Sequence, residues 1–200
     1  SRPEPRQGIR DMTAHMRGLS SVKGHERIIK LSSNESLLGA SPAVKAALSA
    51  MRRDTHTYPD SFSTEVREAL GRTYGVDPHR IVCESGSEPL INLLARAYAG
   101  PGDEILYSQY GFIAYKLAAE ACGAAPVSAP EAEHTTDVDA LLTSVSDKTR
   151  IVFLANPNNP TGTLIPFSEV RRLREGLPES VLLILDAAYA EFNQDDAYHD

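Results

Sequence analysis

The sequence predicts an α/β fold, a mostly parallel sheet sandwiched by helices and preceded by an N-terminal arm. Short apolar runs such as Arg150 to Ala155 and Val181 to Leu185 read as strands. Stretches with apolar residues at helical spacing fall between those runs, so strands and helices alternate along most of the chain. Strands that are separated by helices join through right-handed crossovers, and crossovers of that kind make neighbouring strands parallel.

Residues 1–30 mix Pro3, Pro5, Gly8, Gly18 and Gly24 with charged side chains and show no sustained periodicity. Such a segment is an arm whose shape depends on what it packs against. Ser41 and Pro42 then supply an N-cap and a proline at the first helical position, ahead of an apolar face running from Ala43 to Met51. After the turn-like Tyr58-Pro59-Asp60, residues Val66, Ala69, Leu70 and Tyr74 fall at helical spacing, and Gly75 suits the end of that helix. Arg80 to Cys83 reads as a short strand, followed by the Ser85-Gly86-Ser87 turn and a helix through Leu90 to Ala95. The alternation continues with a strand over Glu104 to Tyr107, a helix over Ile113 to Ala121 and a short strand near Pro126 to Ser128. A helix over Asp137 to Ser144, a strand over Arg150 to Ala155, a helix over Ser168 to Gly176 and a strand over Val181 to Leu185 complete it.

Composition excludes several classes of function. The chain of 200 residues is 42% hydrophobic and 24% charged, which is ordinary globular composition. A net charge of −7 offers no electropositive footprint for nucleic acid or an anionic membrane. No apolar run approaches the roughly 20 residues that cross a bilayer, and the first 30 residues lack the apolar core of a secretory signal. A cytoplasmic protein is the expectation. Cys83 and Cys122 have neither the number nor the spacing of a disulfide framework or a zinc site, so two reduced thiols and no metal are expected.

Ligands of open α/β sheets gather at the carboxyl ends of the strands. Here those positions are Ser85-Gly86-Ser87, Asn156 to Gly162 and Asp186 to Tyr189. Gly86 lets a backbone approach a ligand, and Ser87 and Glu88 would offer main-chain N–H groups at a helix start, where the dipole favours an anion such as phosphate. A plain turn and helix cap is the other reading of the same residues. Asn156-Pro157-Asn158-Asn159-Pro160-Thr161-Gly162 is more specific, because two prolines fix the chain while amide side chains are offered at a strand end. Asp186 follows four apolar residues, and a partly buried carboxylate there needs a cation or strong donors. A protonated pyridine nitrogen supplies such a partner, and Tyr189 could donate to the same ring; capping of the next helix is the alternative for Asp186.

Five ordered segments carry a family resemblance: Leu31 to Ser36, His56 to Asp60, Gly86-Ser87-Glu88, Asn156 to Gly162 and Asp186 to Phe192. Together, collinear from about Ile28 to Phe192, the sequence resembles the histidinol-phosphate aminotransferases among the fold-type-I pyridoxal-phosphate enzymes. The resemblance implies that Gly86, Ser87 and Glu88 hold the phosphate of pyridoxal phosphate and that Phe112, with Tyr110 as its rival, stacks on the pyridine ring. It implies further that Asn159 and Tyr189 bond the ring hydroxyl and that Asp186 pairs the ring nitrogen. The tyrosine matching Tyr58 reaches the cofactor phosphate of the neighbouring subunit in this family, so a homodimer with shared active sites is implied. Residues 31–200 then correspond to an incomplete cofactor-binding large domain.

This sequence has Ala187 where the family often has Glu, and Pro89 where it has an acidic residue; neither change removes an assigned ligand. The family's Schiff-base lysine belongs about 30 residues beyond the aspartate, and Lys23, Lys30, Lys45, Lys116 and Lys148 all lie outside any matching motif. The 200 residues are therefore expected to be part of a longer polypeptide and to be inactive alone. The implied activity is transfer of an amino group between L-histidinol phosphate and 2-oxoglutarate in histidine biosynthesis. The alternatives are an aromatic-amino-acid aminotransferase, a more distant lyase acting on threonine phosphate, and a non-catalytic binding module of the same fold.

Overall fold

Every side chain from Ile151 to Ala155 is buried, and a strand with no polar face must be covered by helices on both sides. The computed structural model, which describes residues 3–12, 23–24, 27–51 and 56–193, places this run inside a four-stranded sheet. The chain divides into two compact units, one formed by Ser1–Met12 with Glu84–Asp200 and the other by Thr13–Cys83.

The N-terminal stretch of the first unit carries one short helix, α1 (Gln7–Asp11). The Thr13–Cys83 unit contains α2 (Pro42–Ala50) and α3 (Thr64–Tyr74). Ser41 caps α2 by accepting from the Val44 N–H at 3.2 Å, with Pro42 at the first helical position as the sequence predicts. Ser63 makes no cap bond to α3; instead the Asp60 carboxylate accepts from the N–H groups of Phe62 (3.0 Å) and Thr64 (2.7 Å). Hydrogen bonds from Thr64 above all, then from Phe62, hold the Asp60 carboxyl below the usual carboxylate range. Gly75 closes α3 at φ 66°, a left-handed conformation that glycine adopts without a Cβ clash. The strand predicted over Arg80 to Cys83 is not formed. Pro78–Arg80 is a 3₁₀ turn capped by the Asp77 carboxylate, and Ile81 is extended but no strand among the described residues lies beside it to complete a ladder.

The remainder of the first unit runs α4 (Ser87–Tyr98), β1 (Glu104–Ser108), α5 (Ile113–Cys122), β2 (Ala125–Ala129), β3 (Glu131–Ala132), β4 (Thr135–Thr136), α6 (Val138–Ser144), β5 (Thr149–Ala155), α7 (Phe167–Gly176) and β6 (Leu182–Asp186). The strand order is β2-β1-β5-β6 with every pairing parallel. Side-chain alternation along the central strands splits the core in two. Ile105, Tyr107, Ile151 and Phe153 meet α4 and α5 on one face, and Leu106, Val152 and Leu154 meet α6 and α7 on the other. The short antiparallel pair β3 and β4 was not foreseen: its turn places Glu133 and His134 at positive φ without a glycine to announce it.

The first residues of the expected arm pack on the end of α5. The Arg6 guanidinium donates to the carbonyls of Ala121 and Cys122, where the helix dipole favours a cation. Gly8 lies so close to the Glu120 carbonyl that a Cβ would stand 2.5 Å from its oxygen. Residues 13–22 and 25–26 of that arm lie outside the described residues.

Candidate active site

Sheet register brings the site together. Ala155 pairs with Asp186, so β5 and β6 end at one level and the polar residues that follow them share one edge of the sheet. The Asn156 N–H extends the ladder by donating to the Asp186 carbonyl at 3.0 Å.

Of the three asparagines after β5, two build the loop. Asn156 is buried; its Oδ1 accepts from the Ile165 N–H and its Nδ2 donates to the Ile165 carbonyl, both at 3.0 Å, closing the segment between them into a fixed loop. Asn158 is buried too, with Nδ2 donating to the Tyr110 carbonyl (3.2 Å) and the Thr161 hydroxyl (2.9 Å). Asn159 is the one that lines the cleft. The family resemblance singled out Asn159, but no local signal gave the roles of Asn156 and Asn158, because their partners are set by how the loop folds back. Asn156→Ala is expected to destabilise the protein by about 2–4 kcal/mol, since both main-chain groups of Ile165 lose their partners in the interior. Urea unfolding of the full-length polypeptide measures this, and a loss below about 1 kcal/mol would remove the loop-closing role.

The cleft, about 370 Å³ and open to solvent, is lined by Ser87, Phe112, Tyr115, Asn159, Asp186 and Tyr189 among others. Ser87 opens α4, and Gly86 before it stands at φ 96° and ψ −179°, a conformation that side-chain-bearing residues avoid. Gly86 and Glu88 flank Ser87 without lining the cleft, and the Glu88 carbonyl accepts from Asn92 inside α4. Phe112 caps the start of α5 and meets Tyr115 edge-on, with ring centroids 5.9 Å apart and planes at 90°. Tyr110 is turned elsewhere, 40% exposed, its ring 5.1 Å from that of His134 and its N–H donating to Glu131 on β3. Of the two rivals for a stacking position, Phe112 is therefore the one at the cleft. Tyr58 belongs to the Thr13–Cys83 unit, where it is 99% exposed.

Asp186 ends β6 half-buried. Its Oδ2 accepts from the Tyr115 hydroxyl at 2.8 Å and its Oδ1 from the Ala188 N–H at 3.2 Å, so Asp186 makes a local capping bond and also lines the cleft. Tyr115 is 1% exposed and stacks flat on Phe153, with centroids 4.6 Å apart and planes within 3°. Burial, and then the Asp186 carboxylate, push the Tyr115 phenol well above the ordinary tyrosine range, so it stays protonated and donates. Tyr115 falls within the helix that the sequence predicts over Ile113 to Ala121, but its bond to a carboxylate 71 residues away had no sequence signal.

Among the described residues, no group of three His, Cys, Asp or Glu could hold a metal, and no helix is long and apolar enough to cross a membrane. Cys122 is buried and Cys83 half-buried, and neither is in a disulfide.

Comparison with known proteins agrees with the fold. The family model described as aminotransferase class I and II matches residues 26–199. The histidinol-phosphate aminotransferase of Rhodospirillum rubrum is 56% identical over 196 residues, covering 98% of this chain and 53% of the relative. That of Maricaulis maris is 53% identical over 195 residues, covering 98% of this chain and 54% of the relative. The chain thus spans about half the length of the curated relatives it matches. Among solved structures, the histidinol-phosphate aminotransferase of Sinorhizobium meliloti in complex with pyridoxal-5'-phosphate superposes with a TM-score of 0.79 at 32% identity, over 82% of this chain and 45% of that one. An aspartate aminotransferase from Rhizobium meliloti, at 22% identity and a TM-score of 0.72, shares the fold. With a family match from residue 26 to 199 and a parallel sheet whose strand ends hold the cleft, the chain belongs to the class I and II aminotransferases.

Proposed function

We propose that the full-length polypeptide is a cytoplasmic histidinol-phosphate aminotransferase of histidine biosynthesis, which exchanges an amino group between L-histidinol phosphate and 2-oxoglutarate with pyridoxal phosphate held in this cleft. The observation that carries the proposal is the meeting, in one cleft, of a helix N-terminus at Ser87, an aromatic ring at Phe112 and a carboxylate at Asp186. These residues match the three parts of pyridoxal phosphate: an anion, a flat ring and a basic ring nitrogen. Residues 31–200 would make up the first part of the cofactor-binding domain, with residues 1–30 as its arm, and the lysine that attaches the cofactor would lie beyond residue 200.

When bound, pyridoxal phosphate supplies an electron sink for chemistry at the carbon that bears the amino group. The chain's own residues would bind and orient. The main-chain N–H groups of Ser87 and Glu88 would receive the phosphate at the positive end of α4, with Gly86, whose own N–H donates to the Glu84 carbonyl at 2.8 Å, allowing close approach. Phe112 would cover one face of the ring and keep water from it. Asp186 would hold a proton on the ring nitrogen by its charge, and Asn159 and Tyr189 would hold the ring hydroxyl.

Tyr58, almost fully exposed, would reach the phosphate site of a second subunit, which makes the working unit a homodimer. A single-subunit mass in solution for the full-length protein would remove that part of the proposal. Efficient conversion of imidazole-acetol phosphate with glutamate by the full-length protein is the outcome that supports the substrate assignment; a strong preference for phenylpyruvate would move it to the aromatic aminotransferases. Asn159→Ala is expected to displace the absorbance of the bound cofactor and its pH dependence while leaving the unfolding midpoint within about 1 kcal/mol of wild type. An unchanged spectrum and titration would remove Asn159 from the ring hydroxyl.

A further inference from the structure

We infer that Tyr115 is a positioning residue for Asp186: its hydroxyl fixes the carboxylate so that the group faces the cofactor's ring nitrogen. The inference rests on the proposed binding of pyridoxal phosphate in the cleft.

Packing alone does not call for a tyrosine at this place. Its neighbours Phe112 and Phe153 are phenylalanines, and an apolar ring at position 115 would keep the flat stack on Phe153 and the edge contact with Phe112. The hydroxyl is the added feature, and in a side chain 1% exposed it needs a partner. That partner is Asp186 Oδ2 at 2.8 Å. Because burial and the carboxylate keep the phenol protonated, it donates throughout the working pH range and never competes with Asp186 for a proton from the cleft.

Without this bond, among the described residues the Asp186 carboxylate is tied only through Oδ1 to the N–H of Ala188, two residues along its own chain, and can turn about its last side-chain bond. With it, both oxygens are held, one from its own turn and one from α5. The stack of Tyr115 on Phe153 anchors the donor to β5, the strand beside β6, so the hydroxyl moves little relative to the aspartate. Phe112 and Asp186 both touch Tyr115, so the residue over the ring and the residue at its nitrogen are registered against one side chain.

The test uses full-length protein reconstituted with pyridoxal phosphate or with its 1-deaza analogue, which has carbon in place of the ring nitrogen. Tyr115→Phe is expected to lower kcat about tenfold with KM changed less than about twofold, and to weaken pyridoxal phosphate binding about tenfold, the loss of one charge-assisted hydrogen bond. Affinity for the 1-deaza analogue should be the same in Tyr115→Phe and wild type, because there is no ring nitrogen for Asp186 to face. Equal losses with both cofactors would mean a packing role only, and no loss with either would mean that the hydroxyl is idle; each overturns the inference. If Tyr115→Phe does not fold, the wild type answers instead. The phenolic carbon resonance of Tyr115 should differ between the two cofactor forms, and an identical signal would overturn the inference. Wild-type protein that binds neither cofactor would bring down the proposed function itself, an outcome distinct from a silent Tyr115→Phe in a protein that binds both.

Discussion

Asp186→Asn in the full-length protein is expected to bind pyridoxal phosphate and to lose about 10²–10³-fold in kcat, the scale at which removal of one well-placed electrostatic group in a water-poor site is felt. The substitution keeps the size of the side chain: the one amide oxygen can accept from the Ala188 N–H, and the amide nitrogen can donate to the Tyr115 hydroxyl oxygen, which in the wild type donates to Oδ2 at 2.8 Å, so local structure should survive. What disappears is the negative charge at the end of β6. A neutral amide cannot hold a proton on a pyridine nitrogen, and the ring then loses its pull on electrons. Steady-state kinetics beside a cofactor-binding titration measures the two effects separately. Near-normal turnover would take the ring-nitrogen role from Asp186, whereas loss of binding together with loss of the fold would mean that the carboxylate is needed for structure.

The largest expected effect on stability is at Phe153. It is 1% exposed at the middle of β5, lies flat against Tyr115 at 4.6 Å and belongs to the core beneath α4 and α5. Phe153→Ala should destabilise the full-length protein by about 3–5 kcal/mol, part from lost transfer of the ring out of water and part from the cavity left in a packed interior. Chemical denaturation gives the figure; a loss under about 1 kcal/mol would contradict the placement of Phe153 in the core. The same cavity removes the surface that holds Tyr115, so variants that fold should also bind pyridoxal phosphate less tightly.

Much of the fold was legible because its signals are local. The buried run of β5, the Ser41-Pro42 start of α2 and the Gly75 stop of α3 each follow from a few adjacent residues. Arg80 to Cys83 misled for the opposite reason: its composition suits a strand, but a strand exists only where a neighbour supplies the other half of its ladder. The β3–β4 pair escaped notice because two-residue strands carry almost no pattern, and its turn uses Glu133 and His134 in place of glycine.

The sequence by itself determined the alternation of strands and helices, the parallel sheet, and the polar segments that follow β5 and β6, because each depends on neighbouring residues and on the handedness of the chain. The family resemblance named Asn159 and Phe112, but the contacts that place them, and those of the residues around them, belong to the tertiary structure. Among three asparagines it set Asn159 at the cleft and turned Asn156 and Asn158 into the loop's own framework. Between two aromatic rivals it brought Phe112 to the cleft and sent Tyr110 to His134. It also joined Tyr115 to Asp186 across 71 residues of chain. Such pairings depend on sheet register and on the angle at which α5 lies over the sheet, and these follow from the packing of the whole core, which no short window of sequence records.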